Sequence, residues 1–425
     1  MLKLSKYEED MLYGKYGKLK QQAMKKIVEY AHVLDAEELC EVSMAHLFCG
    51  AHDYLNASDK DDLHSVISQM QYCSEENLIN DDDRMVCYCQ ADCGPVDPIR
   101  YDEMEVKEYE GKRNKEYLDL YCNMGVNLVG TCVPYMCGFI PMKGEHYVSS
   151  ESHAVTLMNS LWSACGNSDG LEAGFWAATC GRIPKWGNHI MENRKGTHLF
   201  NVRCNIETTM DWDLLGYTIG RKLPTHSIPV IDGLKERPNI FNIKYFFAAM
   251  ATTSGPEMCH FVGITPEANT LEIALGNKEP VLVQEINRDD LIESYNILNK
   301  GKCTTKIDYI SLGCPHYSIE ELRYVSQILK NKKIYKDTTL HIWTASPIKE
   351  VADRCGYTKT IEESGAILLT SSCPLTSNKV PKNAMNLAFD SAKQAHYIAP
   401  NEKYNVYYGS IEKCLSSAIS GAWEV

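Results

Sequence analysis

Residues 307–322 read Ile307-Asp308-Tyr309-Ile310-Ser311-Leu312-Gly313-Cys314-Pro315-His316-Tyr317-Ser318-Ile319-Glu320-Glu321-Leu322. The apolar run to Leu312 has the length of a buried strand. Pro315 cannot donate to a ladder, so Cys314 is expected to mark the end of that strand. Ser318 and Glu321 stand at capping-box spacing before Leu322, Val325 and Leu329, which share one helical face. The rhythm repeats towards the C-terminus. Residues 340–343, 366–369 and 406–408 are strand candidates. Ser346-Pro347 opens a helix that Gly356 would close, and a helix through Cys414 and Ile419 follows the last strand. Strands alternating with helices predict a mostly parallel sheet with helices on both faces.

Towards the N-terminus the pattern is less regular. Residues 126–129 are a short buried-strand candidate, followed by a turn-rich stretch from Pro134 to Gly144. Ser149-Ser150-Glu151 precedes Ala154, Val155, Met158, Leu161 and Trp162, which lie on one helical face. The first 35 residues read as helical, residues 59–83 as an acidic surface segment, and Cys87 to Pro98 as a loop. Leu234-Lys235-Glu236-Arg237-Pro238 is a polar, proline-bearing joint, so subdomains 1–235 and 236–425 are expected. No internal repeat, low-complexity tract or heptad run stands out. The expected fold class is α/β, with mostly parallel sheets flanked by helices and more than one subdomain.

Composition narrows the function. The chain has 425 residues, of which 44% are hydrophobic, ample for a sizeable core. Its formal net charge of -13 argues against a duplex-DNA binder, which needs a basic face. The charged N-terminus does not read as a secretory signal. No run approaches the ~18 apolar residues of a bilayer span, so the expected location is the cytoplasm. The 18 cysteines are then expected to be reduced, and many, such as Cys165, Cys180 and Cys414, to be small core residues.

Three cysteines share one local setting. Gly130-Thr131-Cys132-Val133-Pro134, Leu312-Gly313-Cys314-Pro315 and Ser371-Ser372-Cys373-Pro374 each follow an apolar run and meet a proline one or two residues later. In open α/β sheets, ligands bind beyond the carboxyl ends of the strands, so three such thiols can converge. Three thiolates on a cubane cluster leave one iron without a protein ligand, able to act as a Lewis acid, whereas a fourth would close the site. Spacing alone leaves the alternative that these are ordinary buried cysteines. No Cys-x-x-Cys pair exists. Cys87, Cys89 and Cys93 form a rival group that could hold zinc together with a histidine.

From about Gly125 onwards the chain resembles the aconitase X catalytic module. The matching phrases include Gly130-Thr131-Cys132-Val133-Pro134-Tyr135, Gly144-Glu145-His146, Glu151-Ser152-His153-Ala154-Val155, Thr179-Cys180-Gly181-Arg182-Ile183-Pro184, residues 261–268, residues 312–322 and Ser391-Ala392-Lys393-Gln394-Ala395-His396-Tyr397. The resemblance implies an aconitase-like hydro-lyase that dehydrates a small molecule such as cis-3-hydroxy-L-proline or mevalonate 5-phosphate. It implies an iron–sulfur cluster (4Fe–4S, 3Fe–4S or 2Fe–2S) on Cys132, Cys314 and Cys373. It also implies a smaller swivelling domain. No segment here looks like one, so a separate small partner subunit is expected, and it would be able to supply a serine base.

Dehydration needs a better leaving hydroxyl and a base for the adjacent proton. Glu151 and Ser152, at a helix start, and Lys393 are the expected catalytic residues. The alternative for Ser152 is a helix cap, and for Lys393 a solvated surface charge. Gly50, Ala51, His52, His153 and Arg182 are the expected substrate contacts. Here the chain departs from the family, with Cys49-Gly50-Ala51-His52 where many members carry Gly-Val-Ser, Gln90-Ala91-Asp92-Cys93-Gly94 where others have Asn-Pro, and Gly166-Asn167-Ser168 where Thr-Asn-Arg is usual. The favoured reading is a hydro-lyase for a hydroxy acid or hydroxy amino acid resembling cis-3-hydroxy-L-proline. The large subunit of a mevalonate 5-phosphate dehydratase is the close alternative. A non-catalytic cluster-binding subunit or sensor, and a zinc protein, are the readings of another class.

Overall fold

The computed structural model describes residues 1–299, 306–377 and 380–423. The side chains of Ala51 and His52 lie outside this description. Its strands form three sheets in chain order. The first contains β1 (Leu39–Leu47), β2 (Tyr88–Ala91), β3 (Val126–Asn127) and β4 (His146–Ser149), in the order β3-β2-β1-β4. A short antiparallel β5 (Arg182–Pro184) pairs with the start of β1. The second contains β6 (His198–Val202), β7 (Pro229–Asp232), β8 (His260–Phe261) and β9 (Leu282–Ile286), in the order β8-β7-β6-β9. The third contains β10 (Tyr309–Tyr317), β11 (Thr339–Thr344), β12 (Ile367–Thr370), β13 (Asn386–Phe389) and β14 (Asn405–Tyr408), in the order β12-β11-β10-β13-β14. Apart from β5, every pairing is parallel. Each sheet winds outward on both sides of its first strand, so each has a point where the strand order reverses and a crevice opens.

All nine residues of β10 are buried, as expected of a central parallel strand covered by helices on both faces. Its ladder to β11 is interrupted between Leu312 and Tyr317, so residues 313–316 leave the regular pairing. The helix Ile319–Leu329 starts with the expected capping box of Ser318 and Glu321 and buries Leu322, Val325 and Leu329.

Four sequence expectations change. Cys314, expected to end its strand, stands inside β10, which runs on past Pro315 to Tyr317 after its ladder to β11 breaks at Leu312. Residues 59–83 are not merely a surface segment. They contain the helix Leu63–Tyr72, whose Val66, Ile67 and Tyr72 are buried against the first sheet. The segment expected as a loop from Cys87 begins as β2, because its backbone joins the parallel ladder along β1. The joint at 234–238 lies between β7 and the helix Ile240–Thr253, inside the second sheet unit rather than between units.

Candidate functional site

The carboxyl ends of the first and third sheets meet. His46 closes β1. Asp92 and Cys93 follow β2, Cys132 follows β3, and Glu151 follows β4. From the third sheet come Cys314 and His316 on β10, Ser372 and Cys373 after β12, and Lys393 after β13. Backbone bonds lock the connecting loops together. Gly130 N–H donates to Ala91 O at 3.1 Å, Gly94 N–H to Ser371 O at 2.9 Å, and Cys373 N–H to Gly94 O at 2.9 Å. Gly130 has φ +60°, and a Cβ there would come within 2.5 Å of the Ser371 side chain, so only glycine allows this approach.

His316 fastens the cysteine loops. Its Nε2 faces Ser372 O at 2.8 Å and its Nδ1 faces Thr131 Oγ1 at 3.0 Å, while its backbone N–H points to Cys132 Sγ at 3.4 Å. A carbonyl only accepts, so Nε2 carries the hydrogen and Nδ1 accepts from Thr131. Burial pushes the His316 pKa down to about 4, which keeps the ring neutral. Lys244, on the Ile240–Thr253 helix, donates to His316 O at 2.9 Å and ties the middle unit to this loop. His46 adds a similar link, with Nε2 on Thr131 O at 2.9 Å and Nδ1 on Ser149 Oγ at 3.1 Å.

The thiols converge with one addition. Cys93 Sγ, Cys132 Sγ and a His316 ring nitrogen lie within 4.8 Å of one another. The neighbouring Cys132 and Cys373 thiols, together with burial, push the Cys93 pKa well up. Cys93 leads the causes that draw Cys373 down to about 7, against burial and helped by the N–H groups of Thr376 and Leu375. Cys314 feels the charges of Lys393, Cys373 and Cys132 and hydrogen-bonds to Ser391. Burial outweighs these and raises its thiol. Leu375 N–H points to Cys373 Sγ at 3.4 Å. Both ring nitrogens of His316 are engaged, so the donor set is sulfur. Thiolates that accept backbone N–H bonds suit an iron–sulfur cluster better than a hard cation.

Beside the thiols stands an ionic group. Lys393 Nζ donates to Glu151 Oε1 at 3.0 Å, and His153 Nδ1 lies 2.7 Å from the same oxygen. Burial works against charge on Glu151, but Lys393 and His153 overcome it and hold the carboxyl well below its usual range. Burial likewise works against charge on Lys393, and Glu151 and Cys314 reverse this and raise its pKa. For His153, burial prevails over Glu151 and lowers the pKa, so we assign a neutral ring that donates from Nδ1. Asp92 accepts from Cys93 N–H at 2.7 Å and Ser150 Oγ at 3.0 Å, and burial with the nearby Glu151 charge raises its pKa to about 8. Glu151, Ser152, Cys373 and Lys393 are partly exposed, while Cys93, Cys132, Cys314 and His316 are buried. The group therefore opens to solvent on its Glu151–Lys393 side.

Other expected site residues are placed differently. Ser152 is the first residue of the helix Ser152–Trp162, and Glu151 occupies the cap position without a side-chain cap bond, so Ser152 is not a cap. Gly50 is buried, and a Cβ on it would strike the Phe48 ring. The expectation for the Ala51 and His52 side chains falls outside the described residues. Arg182 is not brought to the thiols. It pairs with Glu8 at 2.8 Å and lies over the Tyr7 ring, clamping the first helix, Lys6–Leu12. It sits on β5 beside Glu41, five residues and roughly 16 Å along β1 from His46. The zinc group dissolves because β2 ends at Ala91 and Cys93 lies in the loop beyond it. Cys89 is buried in the first core, 3.9 Å from Cys87, while Cys93 turns to Cys132 and Cys373. Sequence reasoning missed Cys93 and His316 as parts of this site. His316 stands two residues from Cys314, but neither spacing nor residue type revealed what it links. A cavity of about 760 Å3 near Glu38, His146 and His189 lies at the opposite ends of β1 and β4, away from these thiols.

Family models described as the first, second and third domains of aconitase X match residues 1–192, 196–296 and 307–420. These boundaries follow the three sheets. The large subunit of phosphomevalonate dehydratase from Methanocaldococcus jannaschii is 29% identical over 418 residues, covering 97% of this chain and 99% of that one. The cis-3-hydroxy-L-proline dehydratase of Hypocrea jecorina is 27% identical over 430 residues, covering 100% of this chain and 70% of that protein. A crystal structure of Thermococcus kodakaraensis aconitase X in its holo-form superposes with a TM-score of 0.82 at 26% identity, covering 98% of this chain and 100% of the other.

Proposed function

The chain belongs to the aconitase X family, and from that premise we propose that it is the cluster-bearing chain of a hydro-lyase that dehydrates a small hydroxy acid or hydroxy amino acid. The observation that carries this reading is the meeting of cysteine sulfurs from two sheets beside the Glu151–Lys393 ion pair. Cys132, Cys314 and Cys373 would hold an iron–sulfur cluster. Bound there, it supplies a Lewis-acidic iron for a leaving hydroxyl.

The chain's own residues do the rest. Lys393 keeps its proton and attracts a substrate carboxylate. The uncapped first turn of the Ser152–Trp162 helix offers backbone N–H groups to the same anion. Glu151 is a weak base while its pKa is held down, so its part is to orient Lys393 and His153. The hydroxyl of Ser152, at the partly exposed side, is assigned to contact the substrate hydroxyl. The base that removes the carbon-bound proton is assigned to a small partner subunit, a partner supported by the large-subunit names of several relatives.

A single ammonium paired with Glu151 suits the one carboxylate of a cis-3-hydroxy-L-proline-like substrate. A second reading, the large subunit of a phosphomevalonate dehydratase, is favoured by extent of match. This chain spans 99% of such a subunit but 70% of the hydroxyproline enzyme. Among the described residues, no helix is long and apolar enough to cross a membrane. The test is anaerobic co-purification with the small subunit, iron and sulfide counting, and assay of both substrates. Cys314→Ala should abolish colour and turnover together. Turnover that survives without iron refutes the reading.

A further inference from the structure

Cys93 is the thiol that neither the strand-tip pattern nor the family phrases single out. It follows β2 in the phrase Gln90-Ala91-Asp92-Cys93-Gly94. Its backbone is fixed on both sides. Asp92 Oδ1 accepts its N–H at 2.7 Å, and Gly94 is bonded to Ser371 and Cys373 through its own N–H and carbonyl, at 2.9 Å each. The residue is 3% exposed. A cysteine buried only for packing meets apolar neighbours. Cys93 lies in an apolar cluster but also meets sulfur, with Cys132 Sγ within 4.8 Å and the Cys373 loop bonded to its neighbour Gly94. Two thiolates bound to one tetrahedral metal at ~2.3 Å lie roughly 3.8 Å apart, so the pair needs little movement to share an ion.

We propose that Cys93 is a fourth sulfur ligand at the site of Cys132, Cys314 and Cys373, closing in the resting protein the metal position that three cysteines leave open. This rests on the iron–sulfur reading above and adds to it. Ligation requires Cys93 to give up its proton, as every metal-bound thiol does. A hydro-lyase needs an open position once substrate is present, so ligation by Cys93 belongs to the substrate-free state. The backbone around Cys93 is held by Asp92 and Gly94, so release on substrate binding is a rotation of the Cys93 side chain alone.

The test compares anaerobically prepared wild type, Cys93→Ser, Cys93→Ala and, as a control, Cys87→Ala. The readouts are iron and sulfide per chain, visible absorption, and electron paramagnetic resonance before and after mild oxidation. Circular dichroism confirms folding. Cys93→Ser should keep its iron while its charge-transfer bands and g-values shift, because oxygen replaces sulfur on iron. Cys93→Ala should release iron at least threefold faster on oxidation, and Cys87→Ala should match wild type. Adding a saturating hydroxy-acid substrate to wild type should move its spectrum towards that of Cys93→Ala. The proposal is overturned if both Cys93 variants match wild type in spectrum, iron content and iron retention while Cys314→Ala binds no iron. A wild-type chain that binds no iron overturns this proposal and the cluster reading together, so the two failures are distinguishable.

Discussion

Replacing His316 by alanine should loosen the cysteine loops even with no metal bound. The ring has two partners, Thr131 Oγ1 at 3.0 Å and Ser372 O at 2.8 Å, and both Thr131 and Ser372 are fully buried. Alanine leaves a buried hydroxyl without its acceptor and a buried carbonyl without its donor. Each orphaned group costs about 1–3 kcal/mol. The lost ring also leaves a cavity, and together the effects should reach roughly 3–6 kcal/mol. This is a large fraction of the ~5–15 kcal/mol that stabilises a typical domain. The assay is anaerobic urea unfolding of the cluster-free chain, followed by circular dichroism and intrinsic fluorescence. Three sheet units give more than one transition, and the one lost early should contain the first and third units. The reconstituted variant should also retain less iron, because Thr131 and Ser372 immediately precede Cys132 and Cys373. A loss below ~1 kcal/mol with normal iron retention would refute the clamp argument.

Other consequences can be checked alongside. Lys393→Met removes the cation bound to Glu151, and kcat/KM should fall at least ~100-fold, the equivalent of about 3 kcal/mol, with iron content unchanged. A loss under threefold would end its assigned role. Arg182→Ala should lower stability by about 1–3 kcal/mol through the lost Glu8 pair and Tyr7 contact, while KM stays within twofold. A KM rise above tenfold in a folded variant would restore Arg182 as a substrate contact. Asp213 is buried, accepts from Ala392 N–H and Tyr408 O–H, and has its pKa raised by burial to about 8. The folded state therefore holds this proton more tightly than the unfolded state, and stability falls as pH rises from about 4 to about 8. Asp213→Asn mimics the protonated form and should remove a pH-dependent loss on the order of a few kcal/mol. Parallel stability–pH curves for wild type and variant would contradict this.

Four of the third sheet's five strands were legible because they are short apolar runs bounded by caps, prolines and glycines, whereas β13 (Asn386–Phe389) was not read. Ser318, Pro347 and Gly356 act where their local chemistry places them. The first sheet was harder to read. The stretch Tyr88-Cys89-Gln90-Ala91 carries no apolar run and becomes a strand only because β1 offers a partner edge. The amphipathic Leu63–Tyr72 helix was hidden by its acidic surroundings. The three similarly wound sheets left no visible repeat, since winding order is a property of strand pairing and not of residue identity.

The residues also divide by the range of the forces acting on them. Strand, cap and turn positions follow from bonds between near neighbours in the chain, so the sequence determined the α/β class and singled out Cys132, Cys314 and Cys373, although Cys314 stands inside β10 and not at its end. Only the tertiary structure decided that Cys93 leaves Cys87 and Cys89 for Cys132 and Cys373. It alone made His316 a clamp across Thr131 and Ser372, and Arg182 a partner of Glu8. Those contacts join segments tens to hundreds of residues apart. A hydrogen bond or sulfur contact depends on distances of a few ångströms, which are set when sheets pack and not by spacing along the chain.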